Sequence, residues 1–139
     1  MTELKKELNL AATLDNLPQV LAFLEENLEA ADCSPKAQMQ ISVAAEEVFV
    51  NIAHYAYAPG TGEATVKLEI GGDPLTATIA FLDCGAPFNP LAREDPDVTL
   101  SAEKRQIGGL GIYMTKKIMD GVTYEYLDGH NVLTMKKHL

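Results

Sequence analysis

Ala64-Thr65-Val66-Lys67-Leu68-Glu69-Ile70, then Gly71-Gly72-Asp73-Pro74, then Leu75-Thr76-Ala77-Thr78-Ile79-Ala80-Phe81-Leu82-Asp83, is the stretch that decides the fold class. Apolar Ala64, Val66, Leu68 and Ile70 alternate with Thr65, Lys67 and Glu69, the period-two pattern of a strand with one face on a core. Glycine, aspartate and proline then make a turn, and a β-branched strand returns from Leu75 to Leu82, ending at Asp83.

Upstream, the period changes to that of helices. Leu17, Val20, Leu21, Leu24 and Leu28 form one stripe, with Glu25, Glu26 and Glu29 facing water. Asn16 and Gln19 stand at the spacing of a capping box. Ser34-Pro35 opens a second helix, expected to run to about Tyr57, where Ala58-Pro59-Gly60 stops it. Ahead of both, alternating Leu8, Leu10 and Ala12 predict a half-buried strand.

Downstream, periodicity disappears from Pro87 to Gly108. A segment of that length without structure in a small domain is commonly functional. Ile112 to Met119 then reads as a short helix closed by Asp120-Gly121. Val122 to Tyr126 and Val132 to Met135 form a hairpin about Asp128-Gly129. The order of elements predicts an α+β fold, a two-layer sandwich whose mixed, mostly antiparallel sheet carries its helices on one face. The 139 residues are expected to form a single domain, 1–139.

Composition narrows the function. Acidic residues outnumber basic ones, 20 to 11, for a formal charge of −9, which disfavours nucleic acid and anionic membrane as partners. Cys33 and Cys84 match no metal or disulfide spacing and suit a reducing compartment. The first residues lack a signal-peptide pattern and no apolar run is long enough to span a bilayer, so a cytoplasmic location is expected.

Three short motifs carry chemistry. In Glu46-Glu47-Val48-Phe49-Val50-Asn51-Ile52-Ala53-His54-Tyr55, Glu47 and Asn51 are four apart and share a helix face, whereas Glu46 lies about 100° round. A solvated stripe would read the same way, and His54 taken alone reads as a core-edge histidine. In Asp83-Cys84-Gly85-Ala86-Pro87-Phe88, a carboxylate projects from a strand end while a glycine leaves space beside it. Such an acceptor suits an exocyclic amine, although a plain turn has the same composition. Gly108-Gly109-Leu110-Gly111 stands just before a helix, where backbone N–H groups approach phosphate oxygens. It matches neither the dinucleotide fingerprint nor a Walker loop, and a hinge is the simpler alternative.

Taken in order, Glu-x-x-x-Asn on a helix, Asp-x-Gly-x-Pro-Phe after a strand and Gly-Gly-Leu-Gly before a helix resemble the GHKL ATPase family and its Bergerat ATP-binding fold. Ile107 to Ile112, Met119-Asp120 and the ending Gly129-His130-Asn131-Val132-Leu133-Thr134 are most similar to its anti-sigma-factor serine kinases of the RsbW and SpoIIAB type. The resemblance implies ATP and Mg²⁺ as cofactors, Asn51 as the metal ligand and Glu47 as the general base. It implies that Asp83 accepts from the adenine amine and that Gly85 leaves room for the base, with Pro87 and Phe88 beside it. Gly108, Gly109, Leu110 and Gly111 would meet the phosphates, His54 would lie near the nucleotide, and 89–107 would form an ATP lid offering Lys104 and Arg105 to the γ-phosphate.

Two functions follow from the resemblance. One is a protein serine/threonine kinase acting as an anti-sigma factor, which phosphorylates a STAS-domain antagonist and sequesters a sigma factor or other regulator, as a homodimer. The other is a non-catalytic ATP-binding module whose nucleotide state selects its partner. Glu47 favours the first, because a pure binder needs no base one turn before the metal ligand.

Overall fold

The computed structural model describes residues 4–57, 60–72, 74–87, 89, 91 and 109–139, the backbone alone at 109–113. Strand β1 (Leu4–Ala11) leads through a 3₁₀ turn (Leu14–Asn16) into helices α1 (Leu17–Ala30) and α2 (Pro35–Asn51). A π-helical turn (Ile52–Ala56) extends α2. Strands β2 (Glu63–Gly71) and β3 (Thr76–Asp83), helix α3 (Gly109–Ile118) and strands β4 (Gly121–Leu127) and β5 (His130–His138) complete the described elements.

The strands form one sheet in the order β1-β2-β3-β5-β4, and every pairing is antiparallel. The expected two-layer α+β architecture is present. The alternation in β2 does what its period requires: Ala64, Val66, Leu68 and Ile70 are all buried. They share a core with Ala77, Ile79 and Phe81 of β3 and with Leu133 and Met135 of β5.

Val20, Leu24 and Leu28 from α1 and Ile41, Ala44, Ala45, Val48 and Phe49 from α2 cover that face. Each fully buried leucine or valine contributes about 1.5–3 kcal/mol relative to exposure. The opposite face stays polar, with cross-strand pairs Lys5–Glu69 at 3.7 Å and Lys67–Glu7 at 3.8 Å. These exposed pairs are worth little and mainly keep that face wet.

Local chemistry explains the element ends. Ser34 is in extended conformation and its Oγ accepts from the Ala37 N–H at 3.2 Å, with Pro35 at the first helical position. Asp32 at φ 59° reverses the chain after α1 and lets the Cys33 N–H reach the Leu28 carbonyl at 3.1 Å. Asp128 and Gly129, both at positive φ, make the tight turn between β4 and β5.

The box at Asn16 is built differently from expectation. Asn16 is itself helical, and its Oδ1 accepts from the Gln19 side chain at 3.1 Å rather than from a backbone N–H. Its amide instead holds the Ala11 carbonyl at 2.9 Å, because the 3₁₀ turn before α1 has already changed the entry angle. Helix α3 also begins earlier than its composition suggests, so Gly109, Leu110 and Gly111 lie within its first turn. Packing against α2 overrides the low helix propensity of the two glycines.

Candidate functional site

Helix α2 carries the first motif toward its C-terminal end. Glu47 and Asn51 are both half-buried, one turn apart, while Glu46 is exposed and lines an outer groove between α1 and α2 with Glu25, Glu29 and Met39. The helical register separates the two glutamates as their spacing predicts. In the adjoining π turn, His54 is exposed, its ring tilted against that of Tyr55 with centroids 5.9 Å apart. A π turn admits one residue more than an α turn, and such turns concentrate at functional sites.

The second motif begins where β3 ends. Asp83 is the last residue of the strand, 6% exposed, and pairs across the sheet with Ala64 on one side and Asn131 on the other. Its Oδ1 accepts from the Gly85 N–H and from the Asn131 Nδ2, each at 2.9 Å. Those bonds fix the carboxylate on the helix-covered face and leave Oδ2 without a protein donor among the described residues.

Gly85 is buried for a reason the sequence did not reveal. A Cβ built on it would stand 2.1 Å from the carbonyl oxygen of Ala56, so backbone of the π turn occupies the side-chain space. Pro87 is exposed, and Phe88 lies outside the described residues.

Tyr57, just past the π turn, joins the first two motifs. Its hydroxyl donates to the Glu63 carbonyl and accepts from the Cys84 N–H, both at 2.6 Å. Its ring lies over Gly62, where a Cβ would come within 2.4 Å of it. Burial pushes the phenol above its ordinary value, with the neighbouring Asp83 charge adding to the effect and the Cys84 N–H opposing it.

Helix α3, whose first turn holds the third motif's Gly109, Leu110 and Gly111, packs against α2. The first backbone N–H groups of any helix lack internal partners and are free to meet anions. The far end of α3 is tied down: Lys137 Nζ donates to the Ile118 carbonyl at 2.8 Å, and Asp120 accepts from the His138 N–H at 2.7 Å. Gly108 and the expected lid cations Lys104 and Arg105 lie outside the described residues, as does 92–107.

The residues fit a nucleotide. A buried carboxylate with one oxygen held and the other open can accept from an amine, and two half-buried polar groups lie on the adjoining helix. They also fit Mg²⁺, which is usually held by one or two protein groups together with substrate phosphates and water, here the Asn51 side-chain oxygen. Among the described residues there is no cluster of three or more histidine, cysteine, aspartate or glutamate side chains around a common point.

Three residues were given no role by the motifs: Tyr57, Asn131, which was quoted only within the Gly129–Thr134 ending, and Tyr124, whose hydroxyl donates to the Asn131 Oδ1. Asn131 shares the inward phase of β5 with buried Leu133 and Met135, and an amide in that register is the signal that could have found it.

A family model described as the histidine kinase-like ATPase domain matches residues 10–137. The serine/threonine-protein kinase BtrW of Bordetella bronchiseptica is 26% identical over 131 residues, which cover 94% of this chain and 92% of that protein. The serine-protein kinase RsbW of Listeria monocytogenes serovar 1/2a is 31% identical over 111 residues, 76% of this chain and 69% of that one. Among solved structures, the RsbU and RsbW domains of Rv1364c from Mycobacterium tuberculosis superpose with a TM-score of 0.70 at 18% identity. That match covers 98% of this chain but 32% of the other. The SiaB–SiaC complex of Pseudomonas aeruginosa gives a TM-score of 0.59 at 17% identity, over 95% of this chain and 89% of the matched one. Both structural likenesses are of fold.

Proposed function

Because the chain belongs to the histidine kinase-like ATPase domain family, we propose that it is an ATP-dependent protein serine/threonine kinase that acts as an anti-sigma factor. Its substrate is a serine of a STAS-domain antagonist, and its alternative partner is a sigma factor or another regulator. It works as a cytoplasmic homodimer, each copy being one domain. The names of the BtrW and RsbW relatives support the kinase reading.

One observation carries the proposal. Glu47 and Asn51 share a half-buried face near the end of α2, and the adjoining π turn is docked by backbone contact onto the strand end that presents Asp83. A base, a metal-ligating oxygen and a hydrogen-bond acceptor for the purine thus belong to one connected unit.

In this mechanism Asp83 Oδ2 accepts from the adenine amine and sets the register of the nucleotide. The N–H groups in the first turn of α3, at Gly109 and Gly111, face the phosphates, with Gly108 and Leu110 flanking them. Mg²⁺, when bound, neutralises phosphate charge, and Asn51 is its protein ligand. Glu47 takes the proton of the serine hydroxyl as that oxygen bonds to the γ-phosphorus. The bond from phosphorus to the β–γ bridging oxygen breaks and ADP leaves. Lys104 and Arg105 are assigned to the γ-phosphate, and His54, Pro87 and Phe88 to the nucleotide's surroundings.

The test is radiolabelled ATP incubated with the chain and candidate STAS-domain proteins, with Mg²⁺ and with EDTA. Label is expected on a partner serine in the first case alone. Partner affinity that responds to ATP without any label transfer would replace the kinase with a non-catalytic binding module.

A further inference from the structure

Asp83 is not held by its own loop alone. The Asn131 side chain reaches it from β5, 48 residues away in sequence. The same Nδ2 lies 3.0 Å from the Ala86 carbonyl oxygen and 3.3 Å from that of Gly85. All three partners are acceptors, so that end of the side chain must be the donating end, and an amide offers two N–H groups to serve them. A flipped amide would set its carbonyl oxygen against a carboxylate and two carbonyls.

The other end of the amide is also occupied. Asn131 is 7% exposed, and its Oδ1 accepts from the Tyr124 hydroxyl on β4. Without that phenol the oxygen would lose its donor on the β4 side, and with it the bond that ties the amide to that strand. Tyr124, Asn131 and Asp83 therefore form a chain across three neighbouring strands, β4, β5 and β3.

We infer that Asn131 and Tyr124 are positioning residues that set the base specificity of the nucleotide site. The inference rests on the reading of Asp83 as the acceptor of the adenine amine. Asn131 and the Gly85 N–H together clamp Oδ1, which fixes the direction in which Oδ2 faces. A fixed acceptor meets the 6-amine of adenine and opposes the 6-oxo group of hypoxanthine or guanine. A carboxylate released from the clamp swings about its Cβ–Cγ bond and accepts equally well from the N1–H of hypoxanthine. The clamp thus converts a general acceptor into a selective one, and Tyr124 acts through Asn131.

The test is calorimetric titration of the full chain with Mg-ADP and Mg-IDP, for wild type, Asn131→Leu, Tyr124→Phe and Asp83→Asn. Wild type is expected to prefer ADP. Asn131→Leu is expected to bind ADP at least tenfold more weakly and to lose most of the preference. Tyr124→Phe, which removes one oxygen from a half-buried ring, is expected to lower the ADP-to-IDP ratio several-fold and keeps the test open if Asn131→Leu does not fold. A wild-type ratio in Asn131→Leu and Tyr124→Phe, even with uniformly weaker binding, makes both residues structural only and overturns the inference. A wild-type ratio in Asp83→Asn as well removes the base-acceptor reading beneath it.

Discussion

Gly85 lies so close to Ala56 that a Cβ on it would stand 2.1 Å from the Ala56 carbonyl oxygen and 2.7 Å from the carbonyl carbon. Both contacts are with backbone, so no flexible side chain can yield. The end of β3 and the turn after α2 meet with no space between them. Gly85→Ala must part these two segments. We expect it to destabilise the fold by about 1–3 kcal/mol, the usual cost of overpacking. Thermal unfolding measures the loss, and nucleotide titration should show a parallel drop in affinity. An unchanged melting temperature would mean that the segments separate freely.

Tyr57 secures the same junction through its hydroxyl. Tyr57→Phe removes the hydroxyl that bridges the Glu63 carbonyl and the Cys84 N–H, both on exposed residues that water can reach, and urea unfolding should register a loss of about 0.5–1.5 kcal/mol. The raised Tyr57 value also has a pH signature. Between the ordinary phenol value and the raised one, the unfolded chain releases its proton first, so stability falls as pH rises. The contribution is complete below about pH 10 and is lost above it. Burial pushes the Cys33 thiol upward as well, which adds a decline in the same direction from lower pH. The difference between wild-type and Tyr57→Phe stability profiles isolates the phenol.

Asp83→Ala removes the acceptor on which purine choice depends. The expected loss in ATP affinity is about 1.5–3 kcal/mol, the range for a hydrogen bond to a charged group, with GTP binding changed far less. Calorimetry with both nucleotides is the check, and equal affinity of wild type for the two would end the adenine reading.

The paired glutamates supply an internal control. Glu47→Ala should reduce phosphate transfer by ~10²–10⁴ while leaving nucleotide binding largely intact, because a general base acts in the transition state. Asn51→Ala should weaken Mg²⁺-dependent nucleotide binding too. Glu46→Ala, facing the outer groove, should leave both near wild type. Transfer assays paired with titration distinguish the three, and an essential Glu46 would reverse the assignment.

How far the sequence spoke for itself depended on the range of the interaction. The alternation of Val66, Leu68 and Ile70, the stripe of Val20, Leu24 and Leu28 and the Ser34-Pro35 helix start are local patterns, and each sits in the structure where its period puts it. The separation of Glu46 from Glu47 was legible for the same reason, since a helix converts spacing directly into direction. The insertion of β5 between β3 and β4 was not legible, because no local signal orders strands within a sheet. The bond from Asn131 to Asp83 depends on that order and was hidden with it. Tyr57 was missed differently: it ends a helix in sequence, yet its hydroxyl works 27 residues away at Cys84. At Gly109 the composition was misleading, since glycine argues against helix and tertiary packing prevailed.

The π turn at Ile52–Ala56 constrains the length of the chain more tightly than its composition. It holds one residue beyond the α-helical count, and both the approach of Ala56 to Gly85 and the reach of Tyr57 to Cys84 come from its last residue and the one after it. Deleting a single residue there would restore the ordinary helical period and rotate the residues downstream of it by about 100°. Ala56 and Tyr57 would then leave the strand end together, whichever amino acids remained. Exchange of side chains within the turn is a milder change than a shift in its count. In this protein the meeting of α2 with the strand end at Asp83 therefore depends on the residue count of the turn as well as on the contacts that the turn makes.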